Sequence, residues 1–344
     1  MRLFIITCSC LMLLFSNTSY SSNNTENPIA KPITKEKLIT NSLQIDNLNI
    51  SGIALPYSFM ALATDEGNQI QILQSSDSQH WASHSVITLT NNSDEIDIEA
   101  LAWQAPYLYA LGSHSAKRKK LKTNKTQKEN QERLNQTSLE PARQQLFRIK
   151  LDKNAQAKEI QSLSLQEIIK NDPILKSFVG IPSKENGIDL EGLAIDQKGR
   201  LLVGFRGPVL RGNIATVLRI KLAKKAFKIK SSKQLFIQTI GTGIRGLSET
   251  DQSQQFLVLT GAVGDQPLPY QVSVWNGKNA LRGSDSDAKN AFKPLCDLPS
   301  SFTQNGKAEG IQFIHQTGQS IDFLIVFDGI PNGKPTLFSC NLVH

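Results

Sequence analysis

The chain has 344 residues, 39% of them hydrophobic and 20% charged, so it can bury a core and is not disordered along its length. Past the first fifteen residues no apolar run approaches the ~20 needed for a membrane-spanning helix, which excludes a polytopic helical membrane protein. Lys and Arg number 38 against 30 Asp and Glu, but most of that surplus sits in one segment, which is poor support for a nucleic-acid partner.

In chain order, Arg2 is followed by an apolar stretch from Leu3 to Phe15, broken only by Thr7, Ser9, Cys8 and Cys10, and then by small polar residues from Ser16 to Ser22. One basic residue, a short apolar run and a small-residue exit form a secretory signal over residues 1–21, with cleavage expected between about Ser19 and Ser22. An uncleaved anchor is the rival reading. The expectation is an exported protein, periplasmic or extracellular, with a linker over 22–44 and one domain over 45–344.

That domain opens on the first of five related segments: Asn49-Ile50-Ser51-Gly52-Ile53-Ala54, Asp97-Ile98-Glu99-Ala100-Leu101-Ala102, Asp189-Leu190-Glu191-Gly192-Leu193-Ala194, Gly243-Ile244-Arg245-Gly246-Leu247-Ser248 and Lys307-Ala308-Glu309-Gly310-Ile311-Gln312. A second strand-like run follows each, and β-branched residues bounded by Gly, Asn and Asp predict strands. Between the second and third copies lie two additions. Residues 116–144 carry nine Lys or Arg against three Glu, with only Leu121, Leu134 and Leu139 as large apolar residues, and read as a basic disordered insertion. Residues 117–143 could touch an anionic surface. One short helix is expected from Leu165 to Phe178. With the signal removed only Cys296 and Cys340 remain, either bridged or as two buried thiols.

Units of several strands recurring at tens of residues predict an all-β fold, a β-propeller of five blades, or six if one copy has decayed. A pair of β-sandwiches is the rival architecture. A monomer is expected.

The run GIDLEGLAIDQKGRLLVGFRGPVLRG (187–212), together with DIEALAW, LGSHS (111–115) and GIRGLS (243–248), resembles the bacterial family called domain of unknown function 3616. The resemblance covers roughly residues 51–330. It implies a propeller-like fold distantly similar to esterase-like phytase propellers, and it brings no established substrate. Ala100 departs from the usual Gly, and the basic insertion is a further departure.

Side chains alternate along a strand, so Asp97 and Glu99 share a face, as do Asp189 and Glu191, while Ile98 and Leu190 point into the blades. With Arg245, Lys307 and Glu309 at equivalent positions, and Asp65, Glu66, Ser113, His114, Arg206 and Asp328 at the ends of neighbouring strands, one polar channel mouth is expected. Crowded carboxylates must protonate, pair or bind a cation. Asp97, Glu99, Asp189, Glu191 and Asp328 are the expected ligands of a Ca2+ or Mg2+ ion, given the oxygen-rich, Cys-free setting. Arg206, Arg211, Arg245, Ser113 and Glu309 are the expected ligand-binding residues, because Arg pairs bidentately with phosphate or carboxylate. His114, Glu191 and Asp189 are the candidate catalytic groups. Two functions follow: a propeller that binds a small molecule, an anionic ligand or a partner at this mouth, or a metal-assisted hydrolase of phosphoesters or esters. No specific nucleic acid is expected.

Overall fold

Short runs of apolar and β-branched residues punctuated by tight turns can bury both faces only by stacking sheet on sheet, and the chain does so around an axis. The computed structural model describes residues 28–33, 38–56 and 58–342; the expected signal segment lies outside them. Five antiparallel blades follow one another in sequence. Blade 1 is built from Ile50–Ala54, Met60–Thr64, Gln69–Gln74 and His80–Thr88. Blade 2 takes Ile98–Gln104, Tyr107–Gly112, Leu146–Leu151 and Ala157–Leu163, and blade 3 takes Asp189–Ile195, Leu201–Gly207, Ile214–Leu222 and Ile229–Gln238. Blade 4 takes Gly243–Glu249, Phe256–Gly261, Gln271–Trp275 and Phe292–Asp297. Blade 5 has Lys307–Gln316, Ser320–Asp328 and Thr336–Asn341, with Lys31–Pro32 as its outermost strand.

The first strand of each blade lies nearest the axis, and its signature residues make close packing between blades feasible. A Cβ on Gly192 would come within 2.9 Å of Ile244 and Leu247 of the next blade. Apolar side chains fill the spaces between blades, as where Leu111 and Leu146 of blade 2 meet Leu190 and Phe205 of blade 3.

Three expectations change. The segment over 22–44 is no free linker where it is described. Lys31 and Pro32 pair antiparallel with Ser339 and Phe338, while Leu38 and Ile39 pair parallel with His80 and Trp81 of blade 1. The N-terminal segment therefore clasps blades 5 and 1 together across the seam. The helix expected over 165–178 is broken into Gln166–Asn171 and a 3-10 turn, Leu175–Phe178. Pro173 causes the break, since the residue before a proline is driven out of the helical region and Asp172 sits at ψ 130°.

The basic insertion is ordered, contrary to the expectation of disorder. Ala116–Arg118 and Thr137–Leu139 form an antiparallel ribbon, and a helix, Gln127–Leu134, starts at a capping box made by Thr126 and Glu129. Ladder bonds and caps are local devices that need no core, which is why composition alone did not reveal them. The helix buries no residue, but Arg143 at the end of the segment is buried and pairs with Glu95 and Asp97. We expect that replacing residues 119–136 with a short Gly/Ser link costs less than about 1 kcal/mol. Extending the deletion through Arg143 should cost about 3–5 kcal/mol, because Asp97 would stay buried without its partner. Urea unfolding of the two deletions separates these outcomes.

Candidate functional site in the axial channel

Alternation along the five inner strands stacks three rings of side chains in the channel. The first ring is Ser51, Glu99, Glu191, Arg245 and Glu309, all buried. Two residues on comes an apolar ring, Ile53, Leu101, Leu193, Leu247 and Ile311, also buried. Two further on, Leu55, Trp103, Ile195, Glu249 and Phe313 line a wide mouth.

The polar ring owes its aim to a feature that strict alternation does not contain. In every blade the pairing of the first two strands slips by one residue at this position: Ile50 faces Thr64 and Gly52 faces Ala63, leaving Ser51 as the extra residue. The same slip isolates Glu99, Glu191, Arg245 and Glu309. A β-bulge of this kind bends the strand and re-aims one side chain.

Most of the expected residues do meet at the narrow end, as internally paired groups. Arg206 pairs with Asp189 and, at 2.5 Å, with Glu191. Arg245 lies 2.6 Å from Glu309 and 3.4 Å from Glu191, and donates to the Ala262 carbonyl at 3.0 Å. Arg143, which the sequence reading did not single out, holds Asp97, and Lys307 holds Asp328 at 2.6 Å. Of the expected cation set, Asp97, Asp189 and Asp328 are paired with Arg143, Arg206 and Lys307 and stand apart from the closest carboxylate group. Carboxylate oxygens of Glu99, Glu191 and Glu309 instead lie within 4.8 Å of one another, so Glu309, expected to bind a ligand, belongs with the acidic group.

Burial dominates the electrostatics. It pushes Glu309 and Asp97 up to about 8 and Asp189 to about 6, with Arg245 and Arg206 pulling Glu309 and Asp189 back. Glu99 is raised well above the usual carboxylate range by burial and then by the charges of Glu191, Asp97 and Glu309. Burial works against the charge on Arg206, yet Asp189 and Glu191 hold it more firmly protonated than usual.

His114 has a different role from the catalytic one expected. Its Nδ1 donates to the Gly112 carbonyl at 2.8 Å and its Nε2 accepts from the Leu165 amide at 3.1 Å. Both nitrogens are thus committed to backbone, and the ring pins the start of the 166–171 helix to blade 2. Ser113 donates to Ser115 at 2.8 Å, and Arg211 remains exposed on a turn, away from the paired arginines. Burial lowers His114 from its ordinary 6.5 to about 4. At His114 the folded state therefore binds fewer protons than the unfolded one between those values, so this residue's own contribution to stability should fall as pH drops from about 6.5 to 4, against the opposite contribution of the raised carboxylates Asp97, Asp189 and Glu309. The loss amounts to about 3 kcal/mol, at 1.36 kcal/mol per pH unit. The difference in unfolding free energy between wild type and His114→Gln, measured by urea at pH 7 and 4.5, isolates that loss, and NMR titration should show a ring that stays neutral down to about pH 5.

The open end of the channel is the opposite one. Its cavity of about 730 Å3 is floored by Leu101, Leu193, Leu247 and Ile311 and walled by Trp103, Phe313, Gln312, Ser248, Glu249 and Thr250. Burial raises Glu249 to about 7, with a backbone hydrogen bond from Gln197 opposing it, and its Oε1 has no hydrogen-bond partner among the described residues. The charged start of each inner strand carries the stronger signal in the sequence. Continuing the alternation four residues beyond Glu99, Arg245 and Glu309 leads to Trp103, Glu249 and Phe313.

No curated protein matches the sequence. Solved structures with a similar course include hydrazine synthase of Kuenenia stuttgartiensis, at 10% identity and TM-score 0.40, with 84% of this chain over 58% of that one. A GH43 β-1,3-galactosidase matches at 8% identity and TM-score 0.45, with 92% of this chain over 60% of that one. An endo-arabinase from Bacteroides thetaiotaomicron matches at 9% identity and TM-score 0.46, with 93% of this chain over 98% of that one. The chain spans about three-fifths of the length of the first two. The profile of the family described as protein of unknown function (DUF3616) matches residues 49–336, and the chain belongs to that family.

Proposed function

We propose that this propeller is an exported binding protein that takes a small amphipathic molecule in the wide mouth of its channel. The observation that carries the reading is the cavity of about 730 Å3, a volume typical of small-molecule sites. Trp103 and Phe313 offer an apolar wall, and the unpartnered Oε1 of Glu249 offers a hydrogen bond, which suits a molecule with an apolar part and a hydroxyl group. Glu249, near half-protonation at neutral pH, can donate to or accept from a hydroxyl. At the narrow end Arg206 and Arg245 are engaged by Asp189, Glu191 and Glu309, which gives the hydrolase alternative less support than the open mouth gives binding. Export is supported by the Cys296–Cys340 disulfide, a bond that persists in oxidising compartments.

Octyl glucoside below its critical micelle concentration is a suitable probe. Saturable one-to-one quenching of tryptophan fluorescence is expected, with Trp103→Ala and Glu249→Gln each weakening binding at least tenfold. No binding, or binding untouched by both substitutions, rejects this site.

A further inference from the structure

We propose that Glu99, Glu191 and Glu309 hold a single divalent cation on the propeller axis, and that the ion is Ca2+. Each glutamate comes from a different blade at the same bulged position, and their oxygens fall within 4.8 Å of one another. The three line a void of about 10 Å3, room for one water-sized occupant. Acidic proximity alone would be weak evidence, since salt bridges explain many such groups.

Glu99 supplies the independent observation. It is 8% exposed, it lies against the void, and among the described residues it makes no hydrogen bond and no ion pair. A buried carboxylate without a partner is costly. The ion pairs of its basic neighbours go elsewhere: Arg206 pairs with Asp189 and Glu191, and Arg245 with Glu309 and Glu191.

Charge counting leads to the same place. Asp97, Glu99, Asp189, Glu191 and Glu309 face Arg143, Arg206 and Arg245, an excess of two negative charges if all are ionised. One divalent ion or two protons would cancel it. The arginine contacts do not block a cation, since each carboxylate oxygen carries two lone pairs and can serve both partners.

Hard oxygen ligands select Ca2+ or Mg2+. Mg2+ usually keeps several waters, and the void has room for none beyond the ion itself, whereas the three carboxylates carry six oxygens, the lower end of the Ca2+ coordination range. The apolar ring beneath separates this site from the wide mouth, so its occupancy is independent of the small-molecule reading.

The test uses the full chain. Elemental analysis after gel filtration in calcium-containing buffer should find one Ca2+ per chain. EDTA should lower the melting temperature by several degrees, CaCl2 should restore it, and equal MgCl2 should do so only partly. Glu99→Gln should weaken Ca2+ binding at least tenfold while octyl glucoside binding stays unchanged. Glu309→Gln serves if the first variant folds poorly. A wild type with no bound metal and no response to EDTA or CaCl2, or a Glu99→Gln variant that is more stable and calcium-blind, would show that protons carry the excess and overturn the proposal. The wild-type metal content decides the question even if both variants misfold.

Discussion

Arg206→Met should cost about 3–5 kcal/mol of folding stability, the range found when one member of a buried ion pair is removed. Asp189 and Glu191 are each 1% exposed, and Arg206 is the group that contacts both. Met preserves much of the volume, so packing loss should be a minor part. Arg245 cannot take over, because its shorter contact is with Glu309 and its distance to Glu191 is 3.4 Å. One oxygen of Asp189 already lacks a hydrogen-bond partner among the described residues. Adding Asp189→Asn should recover part of the loss, since removing both partners of a pair is less harmful than orphaning one. Urea unfolding of the single and double variants measures the effect. A single-variant loss below about 1 kcal/mol would mean that water screens the network, as it does for surface pairs.

The Cys296–Cys340 bond should contribute on a similar scale. It joins the outer strand of blade 4 to the third strand of blade 5 and closes a loop with a sequence separation of 44. The chain-entropy model assigns about 4 kcal/mol to a loop of that size. Both cysteines are buried, so a double Cys→Ala variant adds a small packing loss without burying a new polar group. Its unfolding free energy, compared with that of wild type, checks the value. Two alkylatable thiols in non-reduced, unfolded wild-type protein, or a loss below about 1 kcal/mol, would refute it.

Blade number and strand order were legible because the five signatures recur with the same residue chemistry, and a blade cannot bury its faces alone. Convergence of Glu99, Glu191, Arg245 and Glu309 was legible for the same reason. Their pairing was harder to see. Alternation assumes a regular ladder and cannot announce a slip such as the one at Glu99, where Ile98 faces Gly112 and Ala100 faces Leu111. Asp97, read as sharing the strand's face, precedes the strand at φ +59° and is held by Arg143. Nothing in a run of nine basic residues distinguishes Arg143, whose burial arises from the fold around it. Lys31–Pro32 escaped notice because two residues carry no periodicity.

That two-residue strand has a kinetic consequence. Blade 5 is complete only when Lys31 and Pro32 reach Ser339 and Phe338, a pairing between segments far apart in sequence. Contacts of such high sequence separation form late, since nearly the whole chain must be closed into a loop before they bring any gain. The four preceding blades are contiguous and can assemble as local meanders. The strand itself is held by a short set of backbone bonds: Ala30 and Ile33 donate at 2.8 Å to Asp297 and Leu337, Asp297 donates to Pro28 at 2.9 Å, and Pro32 has no amide to donate. In hydrogen exchange, the outer strand of blade 5 should therefore open with lower free energy than the meanders, making its docking the last step of folding and its release the first of unfolding.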